Sequence, residues 1–485
     1  MKHQFATVQR ILGALLMLFS ISMLIPLALA VFYGEGGAAA FALAFAISSG
    51  AGLVAWLPVR HTTNDLKIRD GFLVVVLFYI VLGGFGSLPL MIADVPGMSP
   101  TDALFEAISG ITSTGATVLT AIDTLPHAIL FWRQLLLWIG GMGIIVLAVA
   151  VMPMLGVGGM QLFRAELPGP VKDAKLTPRI RETAKVLWYV YLAFTLLSIA
   201  MMWLAGMPMF DAVSHGLASI ATGGFSNHDA SISYYQSQVV EIVTIIAMLL
   251  GGLNFSLHFT VWRNADVRVY WRNIEARTWL ATIIGISVLI AVVLWLGAGR
   301  PPLLDALVSS TFMVVSASTT TGFVLTDAAV WPLFIHMLLL LGCCIGGCGG
   351  STSSGMKFMR FLLLFKQGLR EINQLVHPNA KIPIKIGGRI VSNRIIQAVW
   401  GFFSMYVAVF IVMFLALLVT GLDGFQSFSA VVACLNNIGS TMADASFSFA
   451  TLPLASKWIL GLCMIMGRLE IFTLLVIFTP AFWRQ

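Results

Sequence analysis

Long apolar segments are the feature that most limits what this chain can fold into. About ten stretches approach or exceed the roughly 20 residues that an α-helix needs to cross the hydrocarbon core of a bilayer. Only helices and closed barrels satisfy all their backbone hydrogen bonds inside lipid, and runs of this length are typical of helices. The composition agrees, since 59% of the 485 residues are hydrophobic and only 10% are charged. We therefore predict an all-α integral membrane protein.

The first apolar segment, 11–32, has some features of a secretory signal, because Lys2 and Arg10 precede it and Ala28-Leu29-Ala30 resembles a cleavage site. Its apolar run is longer than the about 7–15 residues usual for a signal core, so we interpret it as a membrane span. A second span, 38–58, follows it. These two helices precede a set of repeats.

Four similar units follow. Each has an apolar helix, a short helix that starts near an acidic residue, a polar stretch that ends in glycine, and a second apolar helix. The short helix from Asp211 to its glycine covers about 18 Å, roughly half of the membrane, so we predict that these short helices are re-entrant. Extramembrane turns are the alternative for a single loop, but four in register argue against it.

The predicted spans and units are as follows. The spans are 11–32, 38–58, 72–93, 130–152, 183–205, 239–262, 276–296, 333–364, 395–418 and 458–482, and the short helices are 102–110, 211–219, 304–318 and 425–435. We divide the chain into an N-terminal helix pair at 1–70 and four repeats at 71–160, 161–270, 271–370 and 371–485.

Lys and Arg residues predict the orientation. Most of the 28 fall in the segments 60–69, 164–185, 263–277 and 366–394, which all lie on the side shared with both termini. By the positive-inside rule, both termini are then cytoplasmic and the four glycine loops open to the outside. This distribution explains the net charge of +7, so we expect membrane lipid but no nucleic acid as a partner.

The glycine loops favour a cation as ligand. Irregular backbone at membrane depth must be buried in protein or line a watery path. Glycine permits a positive φ, so successive carbonyl groups can turn towards one axis and replace the water shell of an ion. A short helix that ends at each loop also directs the negative end of its dipole to that axis.

Four such units in succession, together with the leading helix pair, Thr319-Thr320-Thr321-Gly322-Phe323 and Gly467-Arg468-Leu469-Glu470, resemble the Trk, Ktr and HKT superfamily of potassium transporters. The resemblance covers essentially the whole chain. It implies four parallel repeats around a pseudo-fourfold pore, and a selectivity filter made by each glycine and the residues before it. The implied filter residues are Thr112, Ser113, Thr114 and Gly115; Ile220, Ala221, Thr222 and Gly223; Thr319, Thr320, Thr321 and Gly322; and Asn436, Asn437, Ile438 and Gly439.

The resemblance also implies the ion. In the HKT branch a serine at the first filter position accompanies a preference for sodium, whereas all four filter positions are glycine here. We therefore expect K+, with Rb+ as a surrogate, bound at the filter residues. No covalent or organic cofactor is expected.

A glycine-rich stretch, 342–355, interrupts the second apolar segment of repeat three. Each glycine costs about 1 kcal/mol relative to alanine inside a helix, so the helix should break here. Close helix packing through small residues is one alternative. The pattern of a phosphate-binding loop is absent. The resemblance implies an intramembrane loop that obstructs the pore below the filter, so we predict a gate at 346–355, comprising Gly346, Gly347, Gly349, Gly350, Ser351 and Thr352.

Arg468 lies within an otherwise apolar helix, where an ionised side chain costs at least about 2.5–3.5 kcal/mol unless it finds partners or water. A structural pair with Glu470 is one interpretation. The resemblance implies instead that Arg468 lies beside the pore near the gate loop, where its charge raises the barrier to cations. Replacing Arg468 with alanine should then increase ion flux.

The predicted function is K+ uptake across the bacterial inner membrane through a gated, channel-like pore, and we find no site for covalent catalysis. A carrier that couples K+ to H+ or Na+ is the alternative, and its intramembrane carboxylate would be Glu241 or Glu470. The loops leave no room for a nucleotide-binding domain. The resemblance implies a homodimer on a cytosolic ring of nucleotide-binding RCK subunits of the TrkA type, with 164–185 and 366–394 as candidate docking surfaces.

Overall fold

The structure is a computed structural model that describes residues 2–62, 68–93, 95, 97–146, 176–297, 301–441 and 447–484. Its regular structure is helical apart from one hairpin, in which β1 (Lys385–Ile386) pairs antiparallel with β2 (Arg389–Ile390). The first two repeats and the leading helices contain α1 (Lys2–Ser22), α2 (Leu24–Tyr33), α3 (Ala38–Trp56), α4 (Ile68–Gly86), α5 (Leu88–Ile92), α6 (Pro100–Ile111), α7 (His127–Val146), α8 (Leu176–Leu204), α9 (Met209–Ala221), α10 (Gln238–Gly252), α11 (Phe255–Asn264) and α12 (Arg268–Arg272). The last two repeats contain α13 (Ile274–Leu296), α14 (Leu303–Ser318), α15 (Leu333–Ile345), α16 (Phe358–Val376), α17 (Asn393–Val419), α18 (Gly424–Leu435), α19 (Leu454–Arg468), α20 (Phe472–Leu475) and α21 (Pro480–Trp483).

Helices long and apolar enough to cross a membrane confirm the predicted class. Within the described residues there are six: Phe5–Tyr33, Ala38–Val59, Arg69–Ile92, Ala184–Leu204, Ile274–Leu296 and Asn393–Val419. Two bent pairs, α10 with α11 and α19 with 472–478, bring the number to eight. Of the other two predicted spans, 130–152 begins with α7 and ends outside the described residues, and 333–364 is divided into α15 and α16.

The prediction of continuous helices at 239–262 and 458–482 is wrong. The chain bends by 98° between α10 and α11, and by 103° after α19. In repeat two, Asn254 caps the start of α11, because its side-chain oxygen accepts a hydrogen bond from the Ser256 N–H at 2.8 Å. The chain changes direction at this residue. In repeat four, Glu470 and Ile471 adopt positive φ angles of 53° and 56°, which interrupt the helix.

The four short helices pack in a closed ring. The second helix of each repeat contacts the short helix of the next: α7 contacts α9, α10 contacts α14, α15 contacts α18, and α19 returns to α6. Each short helix thus lies between its own repeat and the preceding one. This packing confirms the predicted arrangement of four repeats about one central axis.

Both described ends of the chain lie at one face of the molecule. The ring of Phe5 stacks on that of Trp483 with centroids 6.5 Å apart, and Arg69 at the start of α4 donates a hydrogen bond to the Phe482 carbonyl. At the opposite face the Glu35 carboxylate, between α2 and α3, accepts a hydrogen bond of 2.7 Å from the His127 N–H. We call these the terminal face and the loop face.

Candidate ion-conduction site

All four short helices end with the same backbone motif. The first or second residue past the helix adopts a left-handed conformation, with φ of 50° to 53° at Ser113, Thr222, Thr320 and Asn437. Its N–H donates to the carbonyl three residues earlier, and the next N–H donates five residues back, as in Ser113 to Gly110 and Thr114 to Ser109, both at 2.8 Å. This is a Schellman motif, which closes a helix and turns the following backbone away from its axis.

A second left-handed residue, always glycine, follows two positions later. These glycines are Gly115, Gly224, Gly322 and Gly439, with φ of 81°, 68°, 86° and 73°. In repeat two the structure therefore corrects the predicted register by one residue: Gly224 takes the glycine position that we gave to Gly223, and Ile220 belongs to α9. The residues before Gly224 are Ala221, Thr222 and Gly223. Two adjacent glycines leave the register open in the sequence, and the point at which α9 ends decides it.

The four loops meet around the axis. A Cβ added to Gly115 would lie 1.9 Å from the Gly223 carbonyl oxygen, and one on Gly224 would lie 2.0 Å from that of Thr321. The same contact joins Gly322 to the Ile438 oxygen at 1.8 Å and Gly439 to the Thr114 oxygen at 2.3 Å. Each glycine therefore lies against the carbonyl that precedes the equivalent glycine of the next repeat, and the fourth contact closes the ring. Only glycine fits at such distances.

The side chains of this ring are not fourfold. Paired threonine hydroxyls lie 2.7 Å apart in repeat one, Thr112 with Thr114, and in repeat three, Thr319 with Thr321. In repeat four the Asn437 amide instead donates a hydrogen bond of 2.9 Å across to the Thr114 hydroxyl. The symmetric element is the backbone, which presents carbonyl oxygens and the negative ends of four helix dipoles. Those groups suit a dehydrated cation.

A cavity of about 410 Å³ adjoins the ring. Its lining includes Gly115 and Gly439 from the ring, with Thr117, Asp229 and His336 among the surrounding residues. The cavity therefore lies directly against the ring.

The loop that contains the predicted gate, 346–355, lies against the ring on another side. This loop, which we call the gate loop, runs from Gly346 to Lys357 between α15 and α16, and Ser351, Thr352 and Ser353 in its middle are at most 1% exposed. The Thr352 hydroxyl lies 2.9 Å from the Ile220 carbonyl oxygen at the end of α9, and the Ser354 N–H donates 2.8 Å to the hydroxyl of Thr320. The gate loop thus contacts the end of α9 in repeat two and the glycine loop of repeat three directly.

The gate loop is also hydrogen-bonded to the bend of repeat two. The N–H of Cys348 donates to the Gly252 carbonyl at 3.1 Å, and the N–H of Phe255 donates to the Gly350 carbonyl at 3.1 Å. The bend frees backbone groups at the end of α10 and the start of α11, and the loop satisfies them. The bend and the loop therefore form one hydrogen-bonded unit.

Arg468 lies against the gate loop. It is 1% exposed, and one terminal nitrogen donates to the Thr352 carbonyl at 2.9 Å and the Ser354 hydroxyl at 3.1 Å. The other donates to the Ser113 hydroxyl and the Gly140 carbonyl, both at 3.1 Å. All four acceptors are neutral, so none of them offsets the positive charge of the guanidinium group.

Glu470 has a different partner from the one considered in the sequence. Its carboxylate pairs with Arg360 on α16, and the guanidinium of Arg360 also lies 4.3 Å from the centre of the Phe402 ring. This pair joins the end of repeat four to the helix that follows the gate loop. A structural pair between Arg468 and Glu470 is therefore not what the structure shows.

A second buried pair supports the ring of glycine loops, and the sequence analysis overlooked it. Glu106 on α6 and Arg133 on α7 lie 2.7 Å apart, with side chains 0% and 1% exposed. Glu106 also accepts from the Val118 N–H at 3.0 Å, and Arg133 donates to the Ser226 carbonyl at 3.2 Å. The pair links the segments that follow Gly115 and Gly224. Its partners are distant in sequence, so no local pattern indicated it.

At the loop face, His228 joins two repeats. One ring nitrogen lies 2.5 Å from Asp123 and the other 3.1 Å from Asp211. Burial alone would lower the pKa of His228, but the hydrogen bonds to Asp211 and Asp123 outweigh it and raise that pKa above the ordinary value. Only the protonated ring donates to both carboxylates at once.

Re-entrant helices that end in a closed ring of backbone carbonyl groups, between a cavity and a buried loop, define a multi-pass membrane transport protein with a central pore. Comparison with known proteins identifies a family within this class. The chain belongs to the TrkH family of cation transport proteins, which it matches over residues 37–485.

Individual relatives cover the chain from end to end. It is 49% identical over 481 residues to the Trk system potassium uptake protein TrkH of Salmonella typhimurium, which covers 99% of this chain and 100% of that protein. It is 40% identical over 473 residues to the Trk system potassium uptake protein TrkG of Escherichia coli, covering 98% and 97%. The crystal structure of the potassium transporter TrkH from Vibrio parahaemolyticus superposes with a TM-score of 0.92 at 46% identity, covering 99% of this chain and 100% of that one.

Proposed function

We propose that the protein takes up K+ through a gated, channel-like pore whose selectivity filter is the ring of four glycine loops. The observation that carries this proposal is the closed ring itself, in which each glycine backbone lies against the carbonyl before the next glycine. Carbonyl oxygens held by four separate repeats can replace the hydration shell of K+, and Rb+ serves as a surrogate. The names of the full-length relatives, which are potassium uptake proteins, support the same ion.

The proposed filter contains the residues before each glycine, in the register of the structure. These are Thr112, Ser113, Thr114 and Gly115; Ala221, Thr222, Gly223 and Gly224; Thr319, Thr320, Thr321 and Gly322; and Asn436, Asn437, Ile438 and Gly439. Gly346 to Thr352 of the gate loop and Arg468 form the gate. With the loop and a fixed positive charge against the ring, this conformation is closed.

The proposed membrane is the bacterial inner membrane, with both termini in the cytoplasm. The basic segments 60–69, 263–277 and 366–394 support this orientation through the positive-inside rule. The loop face and the cavity beside the filter then open to the outside, and K+ meets the filter before the gate. The five ranges of the chain given above, a helix pair and four repeats, remain our proposed division.

We favour a passive conduit over a carrier coupled to H+ or Na+. Coupling needs a carboxylate that is available to the second ion; of the two candidates, Glu470 is held by Arg360, and Glu241 lies in the first turn of α10. The repeats are also parallel in the proposed topology, whereas paired inverted repeats are common in alternating-access carriers. A membrane potential of 100 mV supplies about 2.3 kcal/mol per charge for inward K+ movement.

We also propose that the protein works as a homodimer on a cytosolic ring of RCK-type nucleotide-binding subunits, similar to TrkA. The described candidate surface is α16 with the hairpin of β1 and β2, which carries Arg370 and Lys385. Most of the other candidate surface, 164–185, lies outside the described residues. Light scattering of the purified protein tests the dimer. Flux with and without ring subunits, in ATP, ADP or NADH, tests regulation.

The decisive experiment is electrical. Purified protein in a planar bilayer is exposed to gradients of K+, Na+ and H+ imposed one at a time. A selective conduit gives a reversal potential that follows the K+ gradient alone. A reversal potential that follows a second ion at fixed stoichiometry would replace the conduit by the coupled carrier.

A further inference from the structure

The gate loop contains a second buried cation. Lys357 is its last residue, immediately before α16, and it adopts a positive φ of 72°. It is 8% exposed, and its ammonium group donates a hydrogen bond to the Ser353 carbonyl. Arg468 holds the preceding carbonyl, that of Thr352, from another repeat. Two successive carbonyl groups of the loop are therefore each occupied by a fixed positive charge.

Two carboxylates accompany this pair of cations. Glu470 forms an ion pair with Arg360, and the charges of both residues interact with that of Lys357. Glu275 at the start of α13 is 2% exposed and accepts a hydrogen bond of 2.8 Å from the N–H of Gly349. The loop is thus held by a carboxylate near its start, at Gly349, and by Lys357 at its end. Among the described residues, the side chains that donate to the carbonyl groups of Thr352 and Ser353 are both cationic.

These contacts oppose a permeating ion in two ways. Carbonyl oxygens are the groups that would coordinate K+ as it leaves the filter, and those of Thr352 and Ser353 already bind cations. A fixed ammonium or guanidinium group at low dielectric also repels a passing cation. Arg468 accounts for only one of the two charges.

We propose that Lys357 is a second positive lock on the gate loop, acting with Arg468 to keep the pore closed; this rests on the proposed K+ conduit. Lys357 occupies the Ser353 carbonyl and adds its own charge to the barrier. Loss of either cation weakens the closed state, and loss of both weakens it further. The positive φ of Lys357 supports this role, because a lysine in that conformation is strained unless its surroundings hold it there.

The test is uptake of radioactive Rb+ into liposomes that contain the purified full chain without any partner subunit. Lys357→Met should raise the uptake rate at least about tenfold, because it removes one of the two positive charges at the gate loop. A tenfold increase corresponds to a barrier that is lower by about 1.36 kcal/mol. Lys357→Arg should restore the low rate of the unaltered protein, since it keeps the charge. Arg263→Met is the matched control: it removes a positive charge from the exposed end of α11 and should leave the rate unchanged.

A structural role and a lock give opposite results. If Lys357 only stabilised the fold, Lys357→Met would lower uptake, and this would overturn the inference. An unchanged rate in Lys357→Met, beside a raised rate in Arg468→Ala, would also overturn it while leaving the conduit intact. Should Lys357→Met not yield folded protein, Lys357→Gln removes the same charge while keeping a polar group. If even the Arg468→Ala protein takes up no Rb+, the proposed function fails, and the inference fails with it.

Discussion

In the proposed filter loop of repeat two, the neighbouring glycines Gly223 and Gly224 should respond differently to substitution. Gly224 has a φ of 68°, and an added Cβ would lie 2.0 Å from the backbone carbonyl oxygen of Thr321. Real Cβ contacts are almost never under 3.0 Å, so the Thr321 carbonyl must move by at least about 1 Å in Gly224→Ala. The left-handed conformation adds about 1–2 kcal/mol of strain for alanine. Both effects fall on the ring of carbonyl groups.

Gly223→Ala is the natural control. Its added Cβ would lie 2.4 Å from a terminal methyl group of Leu137, which is the far end of a flexible side chain. Gly223 lacks a positive φ, so alanine fits its backbone, and the Gly223 carbonyl stays in place. We expect Gly224→Ala to lose most of its preference for K+ over Na+, whereas Gly223→Ala should keep that preference within about twofold, or about 0.4 kcal/mol.

The assay is the reversal potential with K+ on one side of a bilayer and Na+ on the other, measured in the Arg468→Ala background so that both variants conduct. Melting temperature and elution profile check that each variant is folded. If Gly223→Ala loses selectivity and Gly224→Ala keeps it, the ring seen here is not the selective element, and the register predicted from the sequence is the functional one.

Three further predictions concern charges. Arg468→Ala should raise Rb+ uptake without partner subunits, because it removes four hydrogen bonds and a charge from the gate; an unchanged rate in folded protein would remove Arg468 from the gate. Arg133→Met should destabilise the protein by about 3–5 kcal/mol, since it leaves Glu106 buried and unpaired, and the double variant with Glu106→Gln should recover part of the melting temperature. Because the pKa of His228 is raised in the fold, its stabilising contribution is complete below about pH 6.5 and declines as the pH rises through the raised value. Melting temperature against pH should therefore flatten in His228→Gln, and an identical pH profile would contradict the bridge between its two carboxylates.

Much of the fold follows from local pattern. Most of the spans, the acidic residue near the start of each short helix and the glycine after it all depend on neighbouring residues, and the structure reproduces them. At α6 the reason is visible: Ser99 accepts from the Asp102 N–H and Asp102 accepts from the Ser99 N–H, which is a capping box that starts the helix at Pro100. The break between α15 and α16 also follows from local pattern, because glycines interrupt an apolar helix there.

The features that the sequence did not predict, two buried ion pairs and a bend, depend on contacts between distant segments. Glu106 and Arg133 form a pair across 27 positions, and Arg360 and Glu470 across 110. The bend after Gly252 was overlooked because hydropathy continues through it. The backbone groups it frees are satisfied by a loop about 100 residues further along, through hydrogen bonds that no local pattern indicates.

The ring that closes from α19 back to α6 lies within a single chain. In a pore made of four identical subunits every substitution appears four times, so no side chain acts from one direction only. Here each position occurs once, so the four repeats present different groups around the axis. Repeats one and three present hydroxyl pairs, repeat four presents an amide, and repeat two has a glycine without a side chain at 223. In the proposed mechanism, one loop with Arg468 and Lys357 can therefore block the common axis, and selection can change the proposed gate without changing the proposed filter.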